Sequence, residues 1–123
     1  MNRDQMQALA ARIEDTATLE LDLAVATLEG LRAALPHARS DLRPSVVEST
    51  DAALHLVSRS LPNWSVALSG STNEPHGRWT CTLRPSGARD DDEVIGIGRA
   101  PTPSLALIVA LLRVVVIQAK GYE

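Results

Sequence analysis

The residues of this chain that could do chemistry are one cysteine, three histidines, a run of acids and a pair of glycines. Cys81 would serve as a nucleophile only if a nearby histidine or helix N-terminus lowered the pKa of its thiol, and the closest histidine along the chain is His76. Cys81 also alternates with Trp79 and Leu83 in a strand-like pattern. We therefore interpret Cys81 as a small core residue.

The other candidate chemistries require spacings that the sequence does not contain. The three histidines are His37, His55 and His76. None of them has the short spacing of a metal-binding motif. The acidic run 90–93 is contiguous, whereas calcium loops place their ligands at alternate positions around a glycine, and Gly96 and Gly98 lack the third glycine of a dinucleotide loop. The sequence therefore predicts no catalytic residue, no metal ion, no cofactor and no small-molecule substrate, and we expect the protein not to be an enzyme.

The charge balance and the apolar stretches limit the classes of partner. The chain carries 12 basic and 15 acidic residues, for a net charge of −3, and Lys120 is its single lysine. This balance disfavours a protein that coats nucleic acid, because that affinity comes from basic charge. The apolar stretch 105–117 contains Arg113 and is shorter than a membrane span, which needs about 20 residues. We therefore predict that it forms a buried helix and that the protein has no membrane partner. Residues 1–11 show no apolar signal segment and the lone cysteine suits a reducing compartment, so we expect a cytoplasmic location.

Apolar spacing predicts two helices at the N-terminus, which together form a helical hairpin over residues 1–35. Residues 3–14 carry an apolar stripe at helical spacing, made of Met6, Leu9, Ala10 and Ile13. Residues 18–34 combine a strand-like alternation with strong helix formers, and we interpret them as a helix. The apolar face of this second helix is predicted to contain Leu21, Val25, Leu28 and Leu31.

A linker over residues 36–44 is predicted from its prolines and polar residues, and a third helix follows it. Ser45 and Glu48 have the spacing of a capping box, in which the serine hydroxyl accepts a backbone N–H bond at the helix start. Pro62 and Asn63 end this helix. Its predicted buried residues are Val46, Ala53, Leu54, Val57 and Leu61.

Alternating patterns predict three strands, over residues 64–69, 78–84 and 94–98, and their short connections favour an antiparallel meander. Trp64, Val66 and Leu68 are predicted to face the core. The opposite face of the sheet is either an ordinary solvated surface or a partner-binding surface, since arginine is enriched at interfaces. The residues assigned to this candidate surface are Arg78, Thr80, Thr82, Arg84 and Arg99.

The last helix begins clearly, with Thr102 as N-cap and Pro103 at the first helical position, and Gly121 ends it. It is too apolar to be half exposed, so it needs cover from the sheet and from the other helices or a second subunit. We predict an α+β fold in which the hairpin precedes an α-β-β-β-α sandwich domain over residues 45–121. The sandwich has two layers, with both of its helices on one face of a three-stranded antiparallel sheet.

This order of elements resembles the double-stranded-RNA-binding domain. The stretches 74–76 (EPH), 79–83 (WTCTL) and 93–98 (EVIGIG) are similar to the loop, the second strand and the lead into the last helix of that family. The resemblance implies the two-layer fold and binding to an RNA duplex. The family places a lysine pair at the start of the last helix, where this chain has residues 101–104 (PTPS), so the charge that contacts RNA is missing.

The chain also resembles small phage and prophage proteins with the phage ABA sandwich domain. The similar stretches are 9–14 (LAARIE) with 19–22 (LELD), 50–57 (TDAALHLV) with 61–64 (LPNW), and 100–107 (APTPSLAL). Pro101 is an extra residue and Ser104 replaces an alanine of that pattern. The resemblance implies a phage or prophage origin and no particular activity.

These observations lead to one functional hypothesis and two alternatives. We expect a non-enzymatic phage or prophage accessory protein in the bacterial cytoplasm, which binds a phage or host protein or a second copy of itself. The first alternative is a nucleic-acid-binding module for double-stranded RNA or DNA. The second is a virion component, such as a head–tail connector or a decoration protein.

Overall fold

The computed structural model describes residues 3–16, 20–35, 42–71, 78–85 and 96–121. The helices within these residues are α1 (Arg3–Asp15), α2 (Leu21–Ala34), α3 (Thr50–Ser60) and α4 (Pro103–Gly121), and a short 3-10 helix, Pro44–Val47, precedes α3. The strands are β1 (Trp64–Ser71), β2 (Arg78–Pro85) and β3 (Gly96–Ala100). This content and order confirm the predicted α+β class. Most of the predicted linker, together with Val94 and Ile95 of the predicted third strand, lies outside the described residues.

The N-terminal helix α1 forms where its apolar stripe predicts it. Leu9, Ala10 and Ile13 are buried and Met6 is half-buried. α1 packs chiefly on α4, with smaller contacts to β3 and α2. One continuous set of buried residues therefore runs from α1 to α4.

The helix α2 forms as predicted, and of its predicted apolar face Leu31 is buried and Leu28 is partly buried. The prediction is wrong for Leu21 and Val25, which are 78% and 47% exposed, while Leu23, Thr27 and Leu31 are buried. A threonine can lie on the buried face because its hydroxyl donates a hydrogen bond of 2.7 Å to the carbonyl oxygen of Leu23. Both faces of α2 carry leucines at helical spacing, so the apolar pattern alone did not distinguish them.

The start of α3 also differs from the prediction. The predicted capping box at Ser45 and Glu48 is wrong, because Ser45 lies in the 3-10 helix and α3 begins only at Thr50. The true N-cap is Ser49, whose hydroxyl accepts a hydrogen bond of 3.2 Å from the backbone N–H of Ala52. Pro44 at the first position of the 3-10 helix favours that separate turn.

The buried face of α3 packs on α4 and on the 3-10 helix. Ala53, Leu56 and Val57 are buried, whereas Leu54, which was predicted to be buried, is 42% exposed. The helix ends at Ser60, and Asn63 adopts a left-handed conformation with φ of 66° in the turn that follows. This turn directs the chain into β1.

The sheet is an antiparallel meander in the order β1-β2-β3, as predicted. α4 lies across β3 and β2 and makes few contacts with β1. The prediction that Val66 and Leu68 face the core is therefore only half right. Both lie on the α4 side of the sheet, because they pair with the buried Leu83 and Cys81, but they are 37% and 36% exposed.

Two glycines of β3 allow α4 to lie close to the sheet. A Cβ atom on Gly98 would stand 2.4 Å from the carbonyl oxygen of Ala106, and one on Gly96 would stand 2.5 Å from that of Ala110. Ile97, between the two glycines, consequently points to the opposite face of the sheet and is 45% exposed. The backbone of α4 therefore packs directly on the backbone of β3.

The first half of α4 is covered within a single chain, whereas Ile117 near its end is 39% exposed. The Thr102 hydroxyl accepts a hydrogen bond of 3.2 Å from the Leu105 backbone N–H, which confirms the predicted N-cap. The eight residues from Leu105 to Leu112 are buried between the sheet, α1 and α3. Ser104 is buried as well, and its hydroxyl donates a hydrogen bond of 3.0 Å to the carbonyl oxygen of Val47. α4 thus needs no second subunit to cover its buried stretch.

None of the helices in the described ranges combines the length and the apolarity that crossing a membrane requires.

Candidate interaction surface on the outer face of the sheet

The strand register places the predicted surface residues on one face of the sheet, opposite α4, which we call the outer face. Thr80 pairs with Ser69 of β1 and with Arg99 of β3. Thr82 and Arg84 follow Thr80 at alternate positions of β2, so they share its face. Arg78 occupies the remaining alternate position, opposite Ser71 in the register. The structure thus brings all five predicted positions to the same face.

The outer face is exposed to solvent on β1 and β3, and none of the described strand residues on this face is acidic. Ser65, Ala67 and Ser69 of β1 are exposed, as are Ile97 and Arg99 of β3. The central β2 residues Thr80, Thr82 and Arg84 are half-buried. The surface therefore combines hydroxyl groups, one large aliphatic side chain and guanidinium groups. Ile97 was not predicted to belong to this surface, because the alternation of glycine and isoleucine in β3 does not indicate which of the two faces α4.

The outer edge of β3 is closed by an ion pair between α1 and α4. Glu14 Oε2 accepts a hydrogen bond of 2.9 Å from the Arg99 backbone N–H, and Arg113 Nη1 donates one of 2.7 Å to the Ile97 carbonyl oxygen. The two side chains bind each other through two hydrogen bonds, of 2.6 Å (Nη1 to Oε2) and 2.7 Å (Nη2 to Oε1). The pair thus occupies the backbone donor and acceptor that an added strand would use.

Opposing effects act on the ionisation of Glu14. Burial raises the pKa of its carboxyl group, but the hydrogen bonds from Arg113 and from the Arg99 backbone N–H, together with the charges of both arginines, outweigh burial. The net effect is a pKa below the ordinary carboxyl value, so Glu14 is ionised at neutral pH. Sequence reasoning missed this pair because its members lie 99 residues apart, although Arg113 is a visible interruption in an apolar stretch.

Cys81 is fully buried in β2, as predicted for a small core residue. Burial raises the pKa of its thiol to about 11. The reactive thiolate is therefore scarce near neutral pH, and the position does not suit a nucleophile.

The remaining chemical candidates do not form a site within the described residues. His55 is exposed on α3, while His37, His76 and the acidic run 90–93 lie outside the described residues. No group of three or more His, Cys, Asp or Glu side chains in the described ranges is placed to hold a metal ion. Gly96 and Gly98 serve the contact with α4, as shown above.

An open cleft of about 510 Å³ lies beside the ion pair at the β3 edge. Its lining residues are Gln7, Ile97, Arg113, Val116 and Ile117. The guanidinium of Arg113 is already engaged by Glu14 and by the Ile97 carbonyl, and the lining otherwise consists of aliphatic side chains and one amide. The cleft offers no acid, base or nucleophile for a reaction.

The outer face is therefore the candidate functional surface that the geometry supports best. In comparisons with known proteins, no protein-family model, no curated protein and no solved structure matches this chain.

Proposed function

We propose that this chain is a non-enzymatic accessory protein that binds another protein through the outer face of its sheet. The observation that carries the proposal is the one-sided packing of β2 and β3, which α4 covers on one face while Ile97 stays 45% exposed on the other. Arginine is enriched at protein interfaces, and on this face Ile97 adds an exposed aliphatic side chain on the same strand as Arg99.

The charges of this face indicate the chemistry of the partner. Arg84, Arg99 and the position of Arg78 place three basic residues on this face, in a chain whose net charge is −3. A partner with an acidic patch suits such a surface, because complementary charge raises the association rate and fixes orientation. The resemblance to phage and prophage proteins makes a phage protein or a bacterial host protein the partner class we propose.

Double-stranded nucleic acid is the alternative ligand for the same arginines. Three basic positions give at most a weak electrostatic footprint, since phosphate affinity grows with the number of neutralised charges. The exposed Ile97 and the threonines do not contact phosphate as charges do. We therefore favour a protein partner.

A charge-reversal experiment tests the proposal. The double variant Arg78→Glu, Arg84→Glu and the wild type are immobilised, and proteins captured from a bacterial lysate are identified by mass spectrometry. Arg32→Glu, Arg43→Glu is the matched control, because both arginines are exposed and lie outside the sheet. We expect a partner that the wild type and the control capture and the outer-face variant loses. Equal capture by all three proteins contradicts the proposal, and a steeply salt-dependent shift of duplex RNA or DNA by the wild type supports the alternative.

A further inference from the structure

The two edge strands of the sheet differ in how they are protected. At β3 the charged pair of Glu14 and Arg113 occupies the outward backbone groups of Ile97 and Arg99. At β1 no described strand or helix pairs with the outer edge. Proteins commonly block a sheet edge with charges, prolines or bulges. The eight residues of β1 contain no charged residue and no proline, and their pairing with β2 is continuous and without a bulge.

The register identifies which backbone groups of β1 point outward. Backbone groups in an antiparallel sheet alternate between the two neighbours of a strand. The backbone N–H of Arg99 and the backbone C=O of Ile97 point away from β2, towards the outer edge of β3. The residues of β3 that alternate with them therefore bond to β2, and the register extends the same alternation across β2 to β1. The β1 residues at the positions of Ala67 and Ser69 therefore bond to β2. The N–H and C=O groups of Val66, Leu68 and Gly70 point to the outer edge.

The side chains beside this edge are apolar and partly uncovered. Val66 and Leu68 lie on the α4 side of the sheet, yet 37% and 36% of each residue stays exposed because α4 does not reach across β1. On the outer face, Ser65, Ala67 and Ser69 are small. An added strand could therefore approach without a bulky or charged side chain in its path.

The β1 sequence is complementary to itself when two copies run antiparallel. With Ala67 opposite its own copy, Val66 faces Leu68 of the second copy and Ser65 faces Ser69 of it, and the reverse pairs repeat by symmetry. In this register the outward groups of Val66 and Leu68 form four hydrogen bonds, and the apolar side chains meet on the α4 side. No pair in this segment brings like charges together, although the whole chain is acidic.

We propose that a second copy of this chain adds its β1 to the edge of the first, so that two sheets join around a two-fold axis into one six-stranded antiparallel sheet. This contact is separate from partner binding at the outer face, and it makes the outer faces of the two copies continuous. A strand pair alone buries less than the about 1,200 Å² of a typical stable interface. We therefore expect a dissociation constant in the micromolar range.

Sedimentation of the wild type over a concentration series, from about 1 to about 500 μM, tests the dimer. The mass is expected to rise from the 13.2 kDa of one chain towards twice that value. Leu68→Lys places a charge on the α4 side of the edge and is expected to weaken the dimer at least tenfold. Leu21→Lys is the matched control, because Leu21 is 78% exposed on α2 and the substitution is the same. A wild type that remains monomeric throughout, or a control that weakens it equally, overturns the proposal.

Cross-linking keeps the test valid if Leu68→Lys does not fold. In the proposed register Ala67 faces its own copy in a pair without backbone hydrogen bonds, where Cα atoms stand about 4.5 Å apart, within the range of a disulfide. Ala67→Cys is expected to form a disulfide-linked dimer under a mild oxidant. Ser69→Cys, on the same face and strand, would stand about 13 Å from its copy and is expected not to cross-link. The wild type controls for Cys81, which is buried. Equal cross-linking of both variants refutes the register and the proposal.

Discussion

Replacing Glu14 with glutamine tests whether the ion pair at the β3 edge stabilises the fold. The glutamine oxygen can still accept a bond from the Arg99 backbone N–H, but its amide nitrogen would face a guanidinium donor of Arg113 and the charge attraction is lost. Exposed ion pairs contribute up to about 1 kcal/mol, whereas breaking a fully buried pair costs about 3–5 kcal/mol. Glu14 and Arg113 are 21% and 34% exposed, between these limits. We expect a loss of about 2 kcal/mol at pH 7, which lowers the Tm of a chain of this size by about 8 °C.

The same variant predicts a pH dependence with a defined sign. The pKa of Glu14 is lowered in the folded protein, so between the unfolded and folded pKa values the unfolded chain binds more protons. The contribution of Glu14 is therefore complete above the ordinary carboxyl pKa of about 4.5 and is lost as the pH falls through the lowered folded value. Glutamine has no such dependence. The stability difference between wild type and variant should shrink as the pH decreases below about 4.5.

Urea unfolding followed by circular dichroism, at several pH values from 7 to 3, measures this difference. Asp15→Asn is the matched control, because it removes the same charge from the neighbouring, exposed residue of α1. Its effect should stay within about 0.5 kcal/mol. The reasoning is refuted if Glu14→Gln destabilises no more than the control, or if its effect is unchanged from pH 7 to pH 3.

Two further substitutions examine how the elements are joined. Gly98→Ala places a methyl group against the α4 backbone and should destabilise by about 2 kcal/mol, in the range of overpacked cores, and a urea midpoint equal to that of the wild type would contradict the close packing of α4 on β3. Ser49→Ala removes the N-cap of α3 and should lower the free energy of unfolding by about 1 kcal/mol. Ser45→Ala, at the N-cap predicted from the sequence, should change it little. A larger loss for Ser45→Ala than for Ser49→Ala would contradict Ser49 as the N-cap.

The fold class was predictable because its signals are local. The apolar stripe of α1, the alternation of β1 and β2 and the cap of α4 at Thr102 each lie within a few residues of the element that they define. The prediction for the start of α3 was wrong for a local reason too. Ser45 and Ser49 both suit a helix N-cap, but Ser45 lies in the separate 3-10 turn that begins at Pro44. Local patterns thus predicted which elements form better than where they begin.

The features that depend on packing could not be predicted in the same way. Nothing near Glu14 or Arg113 indicates their pairing, which exists only once α1 lies on α4. The orientation of β3 contradicts the usual rule that large apolar side chains face the core, because the backbone of α4 occupies the space on that side and only glycine leaves room for it. The candidate surface could be predicted because the alternation along β2 is a local signal. That Ile97 belongs to this surface could not be predicted, because it depends on where α4 packs against β3.

The burial of α4 changes where self-association should be sought. The composition of α4 left open whether the other helices or a second subunit cover this helix, and Leu105 to Leu112 are buried within one chain. Two exposed large apolar side chains lie together on α2, Leu21 and Val25, and two on β1, Val66 and Leu68, while Leu54, Ile97 and Ile117 are exposed singly on α3, β3 and α4. A contact through α2 would gain apolar burial alone, because the backbone groups of a helix bond within the helix. A contact through β1 would gain apolar burial and backbone hydrogen bonds together, so β1 is the stronger site for a second copy.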